Sequence, residues 1–207
     1  EGLHPITFIA LWMAAYLMGW AMLFLIMFTW MVTFDEWVVI RDINFWLRSN
    51  DLRWVVGVIY GTIVGLTTAG AQAWLMKQAS KIEVRRWMLL SVIGWAIGGI
   101  GFWSYVNNFN YVGTWYLMLG LWFVAPTLLQ TIAMRGAVRG AWIWTLTGVV
   151  TAIIAVMIHS RIAAWTYNES MYALMLGAIV QAIITGVTFL MLKSQQQREQ
   201  VEMATAI

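Results

Sequence analysis

Apolar residues run along the chain in six long blocks, 6–33, 54–76, 87–106, 112–134, 141–160 and 170–192, with short polar segments between them. Each block reaches the roughly 20 residues a helix needs to cross the hydrocarbon core of a bilayer. His159, at the end of the fifth block, is the one Asp, Glu, Lys, Arg or His inside them. The pattern predicts an all-α, polytopic membrane protein: a single transmembrane domain over 1–193 and a polar cytoplasmic tail over 194–207. The first block far exceeds the 7–15 apolar residues of a signal peptide. It reads as a retained helix, long enough to tilt. Pro5 suits a helix start, whereas Pro126 falls inside the fourth span and is expected to kink it.

The polar segments set the orientation. Lys77, Lys81, Arg85 and Arg86 cluster between spans two and three against one acid, Glu83. Arg135 and Arg139 flank the next such turn, and Lys193 follows the sixth span. The alternate loops lack this excess: Asn107 to Asn110 carries no charge, and the fifth-to-sixth loop has Arg161 and Glu169. Basic loops stay in the cytoplasm, so both termini are expected there. Residues 34–53 are different, because Trp37, Val38, Ile40, Ile43, Phe45, Trp46 and Leu47 alternate with Asp35, Glu36, Arg41, Asp42 and Arg48. Such an amphipathic segment lies in the interface plane, here on the outer face, or docks on a soluble partner. Its acids read as solvated ion pairs with Arg41, Arg48 and Arg53 rather than as a cation site. The Gln-rich tail is expected to extend the sixth helix by a turn or two and then fray.

Composition sharpens this picture. Of 207 residues, 62% are hydrophobic and 10% charged, against about 25% charged in soluble domains. The deficit leaves too little charge for a water-facing surface. The net charge of +3 does not point to nucleic acid, because the bases sit in topology-setting loops. The absence of cysteine excludes disulfides, Cys-ligated zinc, iron–sulfur clusters and covalent c-type haem. Fifteen tryptophans suggest interfacial belts, and Trp30, Trp37, Trp46, Trp54, Trp87, Trp103, Trp115, Trp142 and Trp165 all fall near expected helix ends. A few are also candidates for stacking on a flat pigment or quinone.

The chain partly repeats itself. Lys77, Arg135 and Lys193 each close an apolar block and are spaced 58 residues apart. The same shift carries Gln72 onto Gln130 and Thr188, Gly94 onto Ala152 and Asn110 onto Asn168. A fixed period points to duplicated units, here degenerate helical hairpins in parallel orientation. Small residues recur four apart at Gly61/Gly65, Gly94/Gly98 and Gly148/Ala152, a spacing that lets neighbouring backbones approach closely. The pattern G-x3-G-x4-G-x-Q-x-W-L-x-K at Gly61 to Lys77, followed by Trp87 and L-x-S-x-x-G-W-A-x-G at Leu89 to Gly98, resembles a group of bacterial repeat-containing multi-pass membrane proteins of unassigned function. In the next hairpin the Gly-Trp pair is missing, and Thr131 and Ile132 follow Gln130 in place of the Trp. The resemblance implies a bundle of hairpins in a bacterial inner membrane and says nothing of chemistry.

Candidate chemistry is sparse. Gln72, Gln130 and Gln181 are the polar candidates within the spans, with Thr62, Thr67, Thr68, Thr127, Thr131, Thr145, Thr147, Thr151 and Thr185. Interhelical hydrogen bonds account for them, and Gln181 is the deepest. His4 and His159 fall at opposite membrane faces, so they cannot share one haem. His159 alone is a candidate cofactor ligand, for a chlorophyll-type magnesium, or a cap on its own helix C-terminus. No Ser/His/Asp set, HExxH motif or phosphate-binding loop is present, so no enzymatic activity is expected, and no cofactor is identified. The expected partners are the lipid bilayer and other membrane-protein subunits. The leading expectation is a structural or accessory subunit of a larger membrane assembly. Two alternatives stand beside it: a carrier of a small neutral or lipidic solute, using Pro126 and Gln181, and a pigment- or quinone-binding subunit using His159.

Overall fold

The computed structural model describes residues 4–34, 53–79, 82–106, 112–162 and 167–205. They form six helices: α1 (Pro5–Phe34), α2 (Arg53–Ala79), α3 (Val84–Val106), α4 (Val112–Met134), α5 (Trp142–Ile162) and α6 (Tyr167–Thr205). The six apolar blocks map onto them one to one, with ends shifted by a few residues except at the end of α6, which runs on to Thr205. Among the described residues, three segments are long and apolar enough to cross a membrane, Pro5–Met22, Trp54–Lys77 and Leu176–Arg198. Gly120–Met134 and Trp142–Ile158 are shorter apolar helices. The amphipathic segment over 34–53 and the loop Asn107 to Asn110 lie outside the described residues, apart from the helix ends Phe34 and Arg53. So does Lys81.

The main packing runs in chain order, α1 on α2, α2 on α3, and so on to α6, and α1 closes on α6. Late residues of α2, α4 and α6 lie level with early residues of α1, α3 and α5, so neighbours run antiparallel. Lys77, Arg85, Arg86, Arg135, Arg139 and Lys193 thereby collect at one end of the bundle. All are exposed except Lys193, which is partly covered.

Large apolar side chains are exposed on each helix, unlike the surface of a water-soluble bundle, and the apolar core includes uncharged polar residues. Leu17, Leu66, Leu89, Ile93, Ile97, Leu128, Leu146, Ile153, Ile183 and Met191 face outward. Thr68, Gln72, Ser91, Thr127, Gln130, Thr131, Thr147, Thr151, Gln181, Thr185 and Thr188 are buried. Backbone polar groups are satisfied within each helix; several buried threonines bond carbonyls of their own helix, and other side chains pair across helices.

Two glycine pairs mark close approaches between helices. A Cβ on Gly61 would collide with the Trp95 carbonyl on α3, and one on Gly65 would sit 2.9 Å from Val92 Cα. A Cβ on Gly94 would lie 2.5 Å from Pro126 Cα, and one on Gly98 3.0 Å from Trp122 Cα, both on α4. The two glycine pairs therefore face different neighbours, with α3 pressed between α2 and α4. On α5, a Cβ on Gly148 would collide with Thr127 of α4, and Ala152 is buried.

The turn from α4 to α5 depends on Gly136 and Gly140, whose φ values of +86° and +77° are left-handed and disfavoured for side chains with a Cβ. The end of the chain departs from expectation. Instead of fraying after a turn or two, α6 stays helical to Thr205. Gln196 on this extension donates through Nε2 to the Ala137 carbonyl in the α4–α5 turn, which ties the polar part of the helix to the bundle.

Candidate functional site: an uncharged polar and aromatic core

Trp12, Trp87 and Trp144 come from the first turns of α3 and α5 and the second of α1, and they meet one another. Their ring centroids lie 6.5 Å apart for Trp12–Trp87, 6.0 Å for Trp12–Trp144 and 5.7 Å for Trp87–Trp144. The last two pairs are edge-to-face, which sets the positive ring edge against the negative face. Because the three helices alternate around the ring, the trio lies on the bundle axis. Phe8 and Phe189 stack on Trp12 at 5.5 and 5.6 Å and close this end. The expected interfacial place of Trp87 is thus corrected, since Trp87 is fully buried. Its position one turn into α3 suits a belt, but the side chain is on the inward face. Trp54 and Trp142 are exposed, as belt residues would be. Side chains of Trp30, Trp103 and Trp115, and all of Trp37, Trp46 and Trp165, lie outside the described residues.

Deeper along the axis the glutamines differ sharply from one another. Gln130 on α4 is fully used: Nε2 donates to Ser91 Oγ on α3 at 3.0 Å, and Oε1 accepts from Trp144 Nε1 on α5 at 2.9 Å. One carboxamide therefore ties three helices together. Trp12 Nε1 donates to Thr185 Oγ1 on α6 at 3.1 Å, and that hydroxyl donates to the Gln181 carbonyl at 2.6 Å. Gln72 on α2 is equally buried, and the Tyr16 hydroxyl is within reach of it and of Thr185. Yet neither Nε2 nor Oε1 of Gln72 completes a hydrogen bond, nor does Trp87 Nε1. An orphaned buried polar group costs about 1–3 kcal/mol. Thr131 and Thr145 share a hydrogen bond of 2.7 Å between α4 and α5.

A second aromatic group fills the next level. Trp122 of α4 packs on Trp95 of α3 at 5.3 Å and on Trp20 of α1 at 5.8 Å, and Tyr16 meets Trp95 edge-on at 6.4 Å. Gln181 belongs here. Its Nε2 donates to the Phe123 carbonyl at 3.4 Å, while its Oε1 has no partner. Thr127 Oγ1 donates to the Phe123 and Val124 carbonyls at 3.2 and 2.9 Å. Both donors reach carbonyls just beyond that of Trp122, the one Pro126 leaves without its amide partner. Gln181 and Pro126, the pair considered for a solute path, thus adjoin one short stretch of α4. Pro126 itself is pressed against Gly94.

His4 is exposed just before α1. His159 falls in the last turn of α5, and its side chain is outside the described residues. Among the described residues, no group of three His, Cys, Asp or Glu is arranged to hold a metal ion. The buried polar side chains are hydroxyls and carboxamides, which exchange hydrogen bonds without carrying charge. Reading the sequence missed the indole trio and the roles of Tyr16 and Ser91. A signal was there: Trp12-x3-Tyr16-x3-Trp20 and Trp87-x3-Ser91-x3-Trp95 each put one residue per turn on a single face. No family model, no curated protein and no solved structure matches this chain.

Proposed function

We propose that this chain is a six-span protein of the bacterial inner membrane that serves as a non-catalytic structural or accessory subunit of a larger membrane assembly. The observation that carries the reading is the exterior, where large apolar side chains are exposed on each of the six helices, together with a core whose few polar side chains are uncharged. An apolar exterior is costly in water and neutral in lipid, and a core of packed indoles resists deformation. The basic residues gathered at one end support a cytoplasmic position for that end, and with it for both termini. The 58-residue repeat gains support from Gln72 and Gln130, both buried, on α2 and α4.

A docking face on α2 is consistent with a partner subunit. Gly70 has no atom within 4 Å of where a Cβ would be, and it lies between exposed Leu66 and Trp74. Such a notch suits the close approach of another helix. The test is purification from native membranes under mild detergent, with mass identification of what co-purifies. A stoichiometric partner that is lost in Gly70→Leu supports the reading; a monodisperse, partner-free chain sinks it.

A second reading, a carrier of a small neutral solute, is favoured by one observation, the orphaned carboxamide of Gln72. Uptake into vesicles that is unchanged by Gln72→Leu and Gln181→Leu would eliminate it.

A further inference from the structure

At the basic end of the bundle, the polar extension of α6 lies over the α4–α5 turn and forms with it an open cleft of about 350 Å³. Its lining residues are Arg139 and Gly140 from the turn and Gln195, Arg198 and Glu202 from α6. Two guanidinium groups face one carboxylate, so the cleft keeps net positive charge. Its walls are held in place. Gln196 bonds the Ala137 carbonyl, buried Leu192 comes within 3.5 Å of a Cβ placed on Gly140, and the left-handed φ of Gly136 and Gly140 shapes the turn. Exposed Arg135 and partly covered Lys193 add to the positive field nearby.

We propose that this cleft binds the phosphate of an anionic phospholipid headgroup. The inference rests on the membrane reading above. Arginine suits the role, because its planar fork donates to two phosphate oxygens at once. The height is right as well. At 1.5 Å per residue, Arg198 lies roughly 7 Å beyond Lys193, within the headgroup layer that borders the hydrocarbon core. Basic pockets between helices on the cytoplasmic side bind phosphate-bearing headgroups in this way. Gln195 supplies a neutral donor, and Glu202 weakens the site by repelling the phosphate.

The experiment is native mass spectrometry of the full chain in detergent, titrated with phosphatidylglycerol or phosphatidylcholine, with and without inorganic phosphate. The wild type is expected to retain phosphatidylglycerol over phosphatidylcholine. Arg139→Gln and Arg198→Gln should each weaken that retention about fivefold, the factor for roughly 1 kcal/mol per basic residue at an anionic surface. Glu202→Gln should strengthen it. All three residues are exposed, and unchanged thermal unfolding of each variant verifies the fold. A double arginine variant with wild-type preference overturns the proposal. Displacement of phosphatidylglycerol by equimolar inorganic phosphate also overturns it, by assigning the cleft to the free ion. Release of the chain from membranes by alkaline carbonate overturns the membrane reading and the cleft together, whereas retention with an indifferent cleft overturns the cleft alone.

Discussion

Gln72 and Gln130 are the same residue type, each five residues before the basic residue that closes its apolar block, and their energetics are opposite. Gln130 satisfies Ser91 and Trp144 from two other helices. Gln130→Leu removes both bonds and strands the Trp144 N–H, so it should destabilise the bundle by about 2 kcal/mol, combining lost interhelical bonds with an orphaned donor. Gln72 completes no bond, and Gln72→Leu should be neutral or stabilising. Unfolding in mixed micelles of denaturing detergent measures both; equal losses would show that Gln72 is satisfied after all. That these glutamines were polar outliers in apolar blocks was legible in the sequence. Which of them found partners was not, because a hydrogen bond depends on the facing residues of two other helices. Trp87 is the sharper case. A tryptophan one turn inside a helix end fits a headgroup belt and an axial core equally well, and only the rotation of α3 about its axis decides between them.

At the scale of the element, α3 is the wedge of the bundle. Its Gly94 and Gly98 receive α4, and the Gly61 and Gly65 face of α2 receives α3 itself. Gly61→Leu drives a side chain into the Trp95 backbone, which cannot yield as a flexible side chain would. The expected cost is about 3 kcal/mol or more, read as loss of folded protein in size-exclusion chromatography. Gly70→Leu, on the same helix with open space around it, should leave the fold intact. Equal damage from both would mean that α2 is not oriented as described. The small-residue spacing was visible in the sequence, but spacing alone does not say which neighbour each pair meets. The extension of α6 was the least legible element. A Gln-rich stretch has ordinary helix propensity and no apolar stripe to hold it. It is held by a bond to the α4–α5 turn, a contact between residues far apart in sequence.

For the whole molecule, the proposed orientation is directly testable, since the chain has no cysteine and accepts single reporters on a clean background. Lys77→Cys and Arg135→Cys should react with a membrane-impermeant maleimide only after cells are opened. Labelling of either in intact cells would reverse the proposed topology. The six helices of the described residues, and most of their approximate limits, were determined by the sequence alone, through long apolar blocks broken by polar segments. So was the grouping of bases on one side, since alternate turns of an antiparallel bundle must fall at the same end. What only the tertiary structure decided is the closure of α1 onto α6, the meeting of Trp12, Trp87 and Trp144 on the axis, and the unequal satisfaction of Gln72 and Gln130. The physical reason is that helices this uniformly apolar carry little one-sided pattern to say which face turns inward. Packing of small residues and pairing of buried polar groups set the rotation of each helix, and both are properties of neighbouring helices taken together.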